Sequence, residues 1–186
     1  TKDLEALAQG LREPALALFR SQATIRPEER ALMEGFLALS EDRYENGLAA
    51  ARRVQDLAPS RYEGYSLEAT LHQIHAMALV HHGQISEGLA LLERASKAFD
   101  LALEIGRSEP ELHLQAAQCC FDIEFTLGQK RGARLEDFDK PIQAVDRALS
   151  MDPDNARALV LKSVLLLQRS TTLFYNAKPA RPSLDE

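Results

Sequence analysis

The 186-residue chain has no tryptophan, three methionines and two cysteines. The cysteines are adjacent, Cys119-Cys120, in a stretch of helix-forming composition. Neighbours on a helix point in different directions, so these two do not bridge each other. That fits a reducing compartment, and both thiols read as small packing residues. Long apolar runs are missing too. None approaches the roughly 20 residues that cross a bilayer, and the first residues carry no signal-peptide pattern. The expected location is therefore the cytoplasm, with no membrane partner. Basic charge is scarce: 22 Lys and Arg against 28 Asp and Glu give a formal charge of −6. Pairs such as Arg52-Arg53 and Lys130-Arg131 are dispersed, as on a solvated face. Nucleic acid needs clustered cations opposite its phosphates, so it is not an expected partner.

Strand-like alternation is absent as well. Leu, Ala, Glu, Arg and Gln dominate, all good helix formers. The 45% hydrophobic and 27% charged content suits a folded chain. Nine glycines and eight prolines act as punctuation. The pattern predicts helices over 2–9, 14–22, 27–40, 44–57, 61–82, 86–105, 109–127, 136–151 and 155–175, with Ser86 as a cap. The stretch GQKRGARL, residues 128–135, reads as a polar loop, and NAKPARPSLDE as a terminal one.

One break explains the others. In AVDRALSMDPDNARALVLKSVLLL, good helix formers flank DPDN. Pro153 has no amide hydrogen and disfavours helical geometry at Asp152. Asp154 and Asn155 are favoured N-caps for a new helix. A turn this short folds two helices into an antiparallel pair. The device recurs. Small residues at Gly47, Ala51 and Val54 precede Pro59, as Val145 and Ala148 precede Pro153; the last small position lies five residues before each proline.

This ordered set resembles the tetratricopeptide repeat, which has small residues in both helices and a hinge proline over a period of about 34 residues. The best match runs from Glu28 to Ser60, through Gly35, Tyr44, Gly47, Val54 and Pro59. From Tyr62 the units lengthen to about 46 residues. Adding about two turns, roughly 7 residues, to a helix keeps its apolar stripe in phase. The resemblance implies an all-α fold of antiparallel helix hairpins stacked as a right-handed superhelix, an α-solenoid. It divides one helical-repeat domain, 1–186, into an N-terminal hairpin (1–27), a repeat (28–61), two long repeats (62–107 and 108–153) and a truncated repeat (154–186). Long-helix arrays of this kind are similar to those in large bacterial multidomain proteins, some with an upstream serine/threonine kinase domain. No kinase motif occurs in this chain, so that likeness implies a signalling context and no activity.

The family's function is protein–protein contact, so a non-enzymatic scaffold is expected. By repeat geometry the first helix of each unit lines a concave face. It offers Glu29, Met33, Phe36, Glu63, Ser66, Thr70, Gln73 and Met77. These are neutral to acidic, which disfavours a cationic clamp for C-terminal carboxylates. A neutral or basic helical or extended segment suits them better. Arg157 and Lys162 are the basic exceptions, and Lys162, at a usually apolar position, should snorkel outward. A helical regulator that binds a small ligand or peptide between its helices is the first rival reading.

A metal-dependent enzyme is the second. His72, His75 and His82 fall near one helical face with Glu68 a turn before His72. A metal needs three or four convergent ligands, and no Glu-x-x-His pair of a bundle di-metal site is present. The histidines read as surface or packing residues, and no metal or cofactor is expected. Glu136, Asp137 and Asp139 form an acidic helix start, which the helix dipole explains. No nucleophile elbow or phosphate loop occurs. Finally, the chain begins with Thr1, and PARPSLDE echoes GARLEDF without a second helix after it. Both predict a piece of a longer array. The helix over 155–175 would then expose Leu159, Val164, Leu165, Leu166, Leu167 and Leu173, and self-associate through them.

Overall fold

The computed structural model describes residues 25–176. The expected helices over 2–9 and 14–22, most of the 1–27 hairpin, and the NAKPARPSLDE tail beyond its first residue lie outside the described residues. Among the described residues there are seven α-helices, one 3₁₀ turn and no strand.

Helix α1, Pro27–Ser40, starts where proline is best tolerated. Arg26 before it is extended, and its guanidinium pairs with Glu28 and Glu29 in the first turn. Asp42, at φ 55°, takes the left-handed conformation that closes the turn. The Arg43 amide then donates to the Ala38 carbonyl at 2.9 Å. Helix α2 is Tyr44–Leu57 and α3 is Glu63–His81. Gly83 at φ 79° ends α3, with the Gln84 amide on the Leu79 carbonyl at 2.9 Å. That stop sets the start of α4, Ile85–Ile105, so the N-cap position falls on Gln84, which makes no side-chain cap bond. Ser86 is therefore inside the first turn and does not cap it.

Helix α5, Pro110–Arg131, outruns its expected end. Gly128 stays helical, and Gly132, at φ 84°, makes the stop. The loop shrinks accordingly, and Leu135–Phe138 forms a 3₁₀ turn before α6, Asp139–Met151. Helix α7 is Ala156–Asn176. Asn155 caps it as expected: its Oδ1 accepts the Ala158 amide at 3.0 Å.

Consecutive helices pack on each other, and α1, α3, α5 and α7 also touch in that order. The chain is thus an all-α solenoid with α1, α3, α5 and α7 in one layer and α2, α4 and α6 in the other. Its core runs through three apolar clusters. Leu48 and Ala51 of α2 meet Leu67 and Leu71 of α3, with Leu32 and Leu39 of α1 packed against them. Leu92, Phe99, Leu112 and Cys119 join α4 to α5. Leu114, Phe138, Val145, Leu161 and Leu165 join α5, α6 and α7. Leu165, expected on the exposed stripe of the last helix, is instead fully buried because it shares the face of Leu161 and Ala158.

Small residues set the helix spacing. A Cβ on Gly47 would lie 2.5 Å from Leu71 Cδ2, and Leu71 is itself 1% exposed. Gly47→Leu is expected to cost about 1–3 kcal/mol through overpacking. Denaturant midpoints check this, and an unchanged midpoint would count against a close α2–α3 contact.

The 3₁₀ turn is tied down by Asp137. The buried carboxylate accepts two bonds from Arg131, at 2.7 and 2.9 Å, and the Arg134 amide at 2.7 Å. The Arg131 guanidinium beside it holds its pKa below the ordinary range. A depressed carboxylate pKa adds stability above the unfolded value and loses it as pH falls through the folded one. Asp137→Asn should therefore cost about 1–3 kcal/mol at neutral pH. The gap to the parent chain should shrink below about pH 4, as measured by urea unfolding across that range. A gap that stays constant with pH would deny the carboxylate this role.

Candidate binding groove

On α3, residues 70, 73, 74 and 77 share one helical face by the i, i+3, i+4, i+7 rule. Thr70, Gln73, Ile74 and Met77 form one wall of a groove of about 400 Å³. Helix α5 supplies the floor with Leu114, Gln115, Gln118 and Asp122, and α7 adds Arg157 and Leu161. A second hollow of about 420 Å³ shares Gln118, Arg157 and Leu161 and continues toward Phe121, Val160 and Val164. The combined face mixes polar and apolar groups over α3 and α5, and toward α7 it is apolar apart from Arg157.

Two bonds tie the wall to the floor. The Gln73 Nε2 donates to Asp122 Oδ2 at 2.6 Å, and Ser66 Oγ donates to Gln115 Oε1 at 2.9 Å. Gln118 Nε2 donates to the other oxygen, Asp122 Oδ1, at 2.9 Å. Asp122 is 8% exposed. Its burial pushes the carboxyl pKa up, and the two amide bonds oppose that shift. At the rim Arg157 pairs with Glu111. Lys162 turns away, its ammonium 2.7 Å from Asp146 of α6.

The structure therefore places Thr70, Gln73 and Met77 together on the groove, with Ser66 bonded beside it. Glu29 and Glu63 lie elsewhere, around Arg61, whose guanidinium is 2.6 Å from Glu63 and 4.0 Å from Glu29. Arg61 holds the Glu63 pKa low, and Arg26 does the same for Glu29. Met33 and Phe36 are exposed on α1 and do not line the groove. Residues 115, 118 and 122 repeat the α3 pattern on α5. Carrying the face assignment one 46-residue unit along the sequence would have picked Ala116, Cys119 and Ile123 instead, so Gln115, Gln118 and Asp122 were missed.

The histidines diverge. His72 is buried, and its Nε2 sits 3.9 Å from Glu68 Oε1. Burial lowers its pKa, and Glu68 partly offsets this. The His75 ring stacks on Tyr44 at 4.3 Å between centroids. His82 is exposed in the turn after α3. Among the described residues no three His, Cys, Asp or Glu side chains converge as a metal site. Cys119 is buried, with its thiol toward the Leu92 carbonyl at 3.8 Å, and burial pushes the pKa of both cysteines up.

No protein-family model matches the chain. Among solved structures, the Arabidopsis OM64 TPR domain superposes with a TM-score of 0.55 at 13% identity, over 76% of this chain and 95% of that domain. The chain has the tetratricopeptide-repeat fold. A curated relative, Protein CTR9 homolog of Arabidopsis thaliana, is 30% identical over 140 residues, or 75% of this chain. The chain spans 10% of that protein's length. The groove is built from α3, α5 and α7, which lie in one layer of the solenoid. Among the described residues no helix is long and apolar enough to cross a membrane.

Proposed function

We propose that the chain is a non-enzymatic protein-interaction module whose groove receives a neutral or basic peptide segment. The observation that carries this reading is the groove itself: side chains of three helices build one open, elongated face with polar and apolar sections. Among the described residues its only charged lining groups are Asp122 and Arg157, and Arg157 is already paired with Glu111. A solenoid that presents such a face binds extended or helical segments by side-chain pockets along it.

A random-peptide phage library panned on the chain tests the groove. Selected peptides should lose about tenfold or more in affinity on Met77→Arg, which fills and charges the wall. Lys97→Glu, on the exposed side of α4, should leave them unchanged. Equal effects at both positions would reject the groove.

A second contact surface follows from α7. Leu159, Leu166, Leu167 and Leu173 are all exposed on this helix. Contiguous apolar surface of that kind marks a contact. We read it as a site of self-association between two copies of the chain.

A further inference from the structure

Asp122 is the one buried carboxylate on the groove, and among the described residues no cation pairs with it. Both its oxygens accept bonds, but only from the neutral amides of Gln73 and Gln118. A carboxylate oxygen has two acceptor sites, so each keeps capacity for one more donor. Buried charge is stabilised chiefly by an opposite charge in hydrogen-bond contact. The groove's own cation does not supply it, since Arg157 is turned to Glu111 at the rim. An unpaired, half-satisfied anion on an open groove is the arrangement that an incoming cation completes.

We propose that Asp122 makes the groove selective for a peptide segment carrying an arginine or lysine between apolar residues. The inference rests on the groove being a peptide site and adds the chemistry of its occupant. The cation reaches Asp122 between the two glutamines, where its N–H groups find free acceptor sites. Its aliphatic stem lies along Met77 and Ile74 of α3 and Leu161 of α7, as long basic side chains do on apolar surface. An apolar neighbour in the segment enters the hollow lined by Phe121, Val160 and Val164, which adjoins Asp122 along α5. The raised carboxyl pKa agrees with this: the site lacks the positive charge that would lower it. The net charge of −6 favours the same approach.

The glutamines have a defined part. By holding both oxygens they fix the carboxylate in the groove before the ligand arrives, which removes an ordering cost from binding. An acidic peptide meets the opposite situation, an unpaired anion facing another anion, so the site discriminates by repulsion as well as by attraction.

The test pans one random-peptide phage library in parallel on the chain and on Asp122→Asn. Peptides won on the parent chain should share an Arg or Lys flanked by apolar residues. In synthetic copies, replacing Arg by citrulline or Lys by norleucine should weaken binding about tenfold or more, and that loss should vanish on Asp122→Asn. The peptide-side change needs no altered protein, and the Asp122 carboxyl carbon resonance should shift when the basic peptide is added to the parent chain. These two readings stand whether or not Asp122→Asn folds. Peptides that are sensitive to Met77→Arg but indifferent to loss of their cation would overturn the proposal and leave the groove standing. So would basic peptides that leave the Asp122 resonance unmoved. Failure to select any peptide sensitive to Met77→Arg would overturn the groove reading, and this proposal with it.

Discussion

Replacing Phe99 by alanine is expected to remove about 3–5 kcal/mol from the folding free energy, the usual range for a buried aromatic. Phe99 lies on α4, which packs against both α3 and α5, and is 1% exposed. It packs with Leu92, Ala95, Leu112 and Cys119, and with the partly buried Tyr62 and Tyr65. Much of that cluster is alanine, whose short side chain cannot move to fill a void of phenyl size. The remaining backbone is held apart by α-helices that do not bend easily, so the cavity term adds to the lost transfer energy. A total stability of about 5–15 kcal/mol is typical of a domain, so this one change threatens the fold. Urea midpoints provide the measurement. The consequence for function is direct: α3 forms the wall and α5 the floor of the groove, and both rest on α4. Peptide binding should fall in step with the folded fraction. A loss under about 1 kcal/mol would show that the helices collapse onto the gap, and the cluster would not be a rigid support for the groove.

The helices were legible because their signals are local. Pro153 with Asn155, Gly83 and Pro110 each start or stop a helix by the chemistry of the residue itself. Small residues at Gly47 and Ala51 announced close packing, and the structure buries both. Signals failed where two local options competed. Gly128 and Gly132 are both plausible stops, and the choice fell to Gly132, which adopts the left-handed φ. Holding Asp137 by Arg131 then requires α5 to run that far. Ser86 lost its capping role because the turn at Gly83 sets the cap two residues earlier, at Gln84.

The groove was legible only in part, because its members come from three units. Thr70, Gln73 and Met77 follow from the face of one helix. Their partners on α5 depend on how far α3 and α5 are offset, and both bonds between them join residues 49 apart. The units read from the sequence are about 46 residues long, so facing positions are not equivalent ones. Nothing in the spacing of Asp122 marks its burial. A carboxylate at that position of an amphipathic helix would ordinarily face water. It is buried here because α3 and α5 approach closely enough for Gln73 to reach it.

Helix α7 yields the other large effect. Its buried side is narrow: Ala158, Leu161 and Leu165 face α5 and α6. Leu159 and Leu166 are one heptad apart, so they lie on a common stripe, and Leu173 extends it. Their exposures are 47%, 43% and 54%. Complete burial of a leucine is worth about 1.5–3 kcal/mol, so each of these has roughly half of that still to gain from a partner helix. Two copies that align such stripes antiparallel gain twice, because a two-fold contact uses the same patch on both chains. The chain should therefore form dimers at about 0.1 mM or below, with an affinity in the micromolar range. The double variant Leu159→Glu with Leu166→Glu replaces apolar contact by carboxylates that would have to lose water. It should raise the dimer dissociation constant about 100-fold or more, equivalent to about 2.7 kcal/mol. Neither residue touches the groove or the core clusters, so the melting temperature of the monomer should stay within a few degrees. Sedimentation over a concentration series separates the two quantities. A chain that stays monomeric across that series, or a double variant that dimerises as well as its parent, would remove α7 as the contact surface. Loss of dimer together with loss of the monomer fold would instead show that Leu159 and Leu166 support the α5–α6–α7 packing, and the stripe would belong to the core.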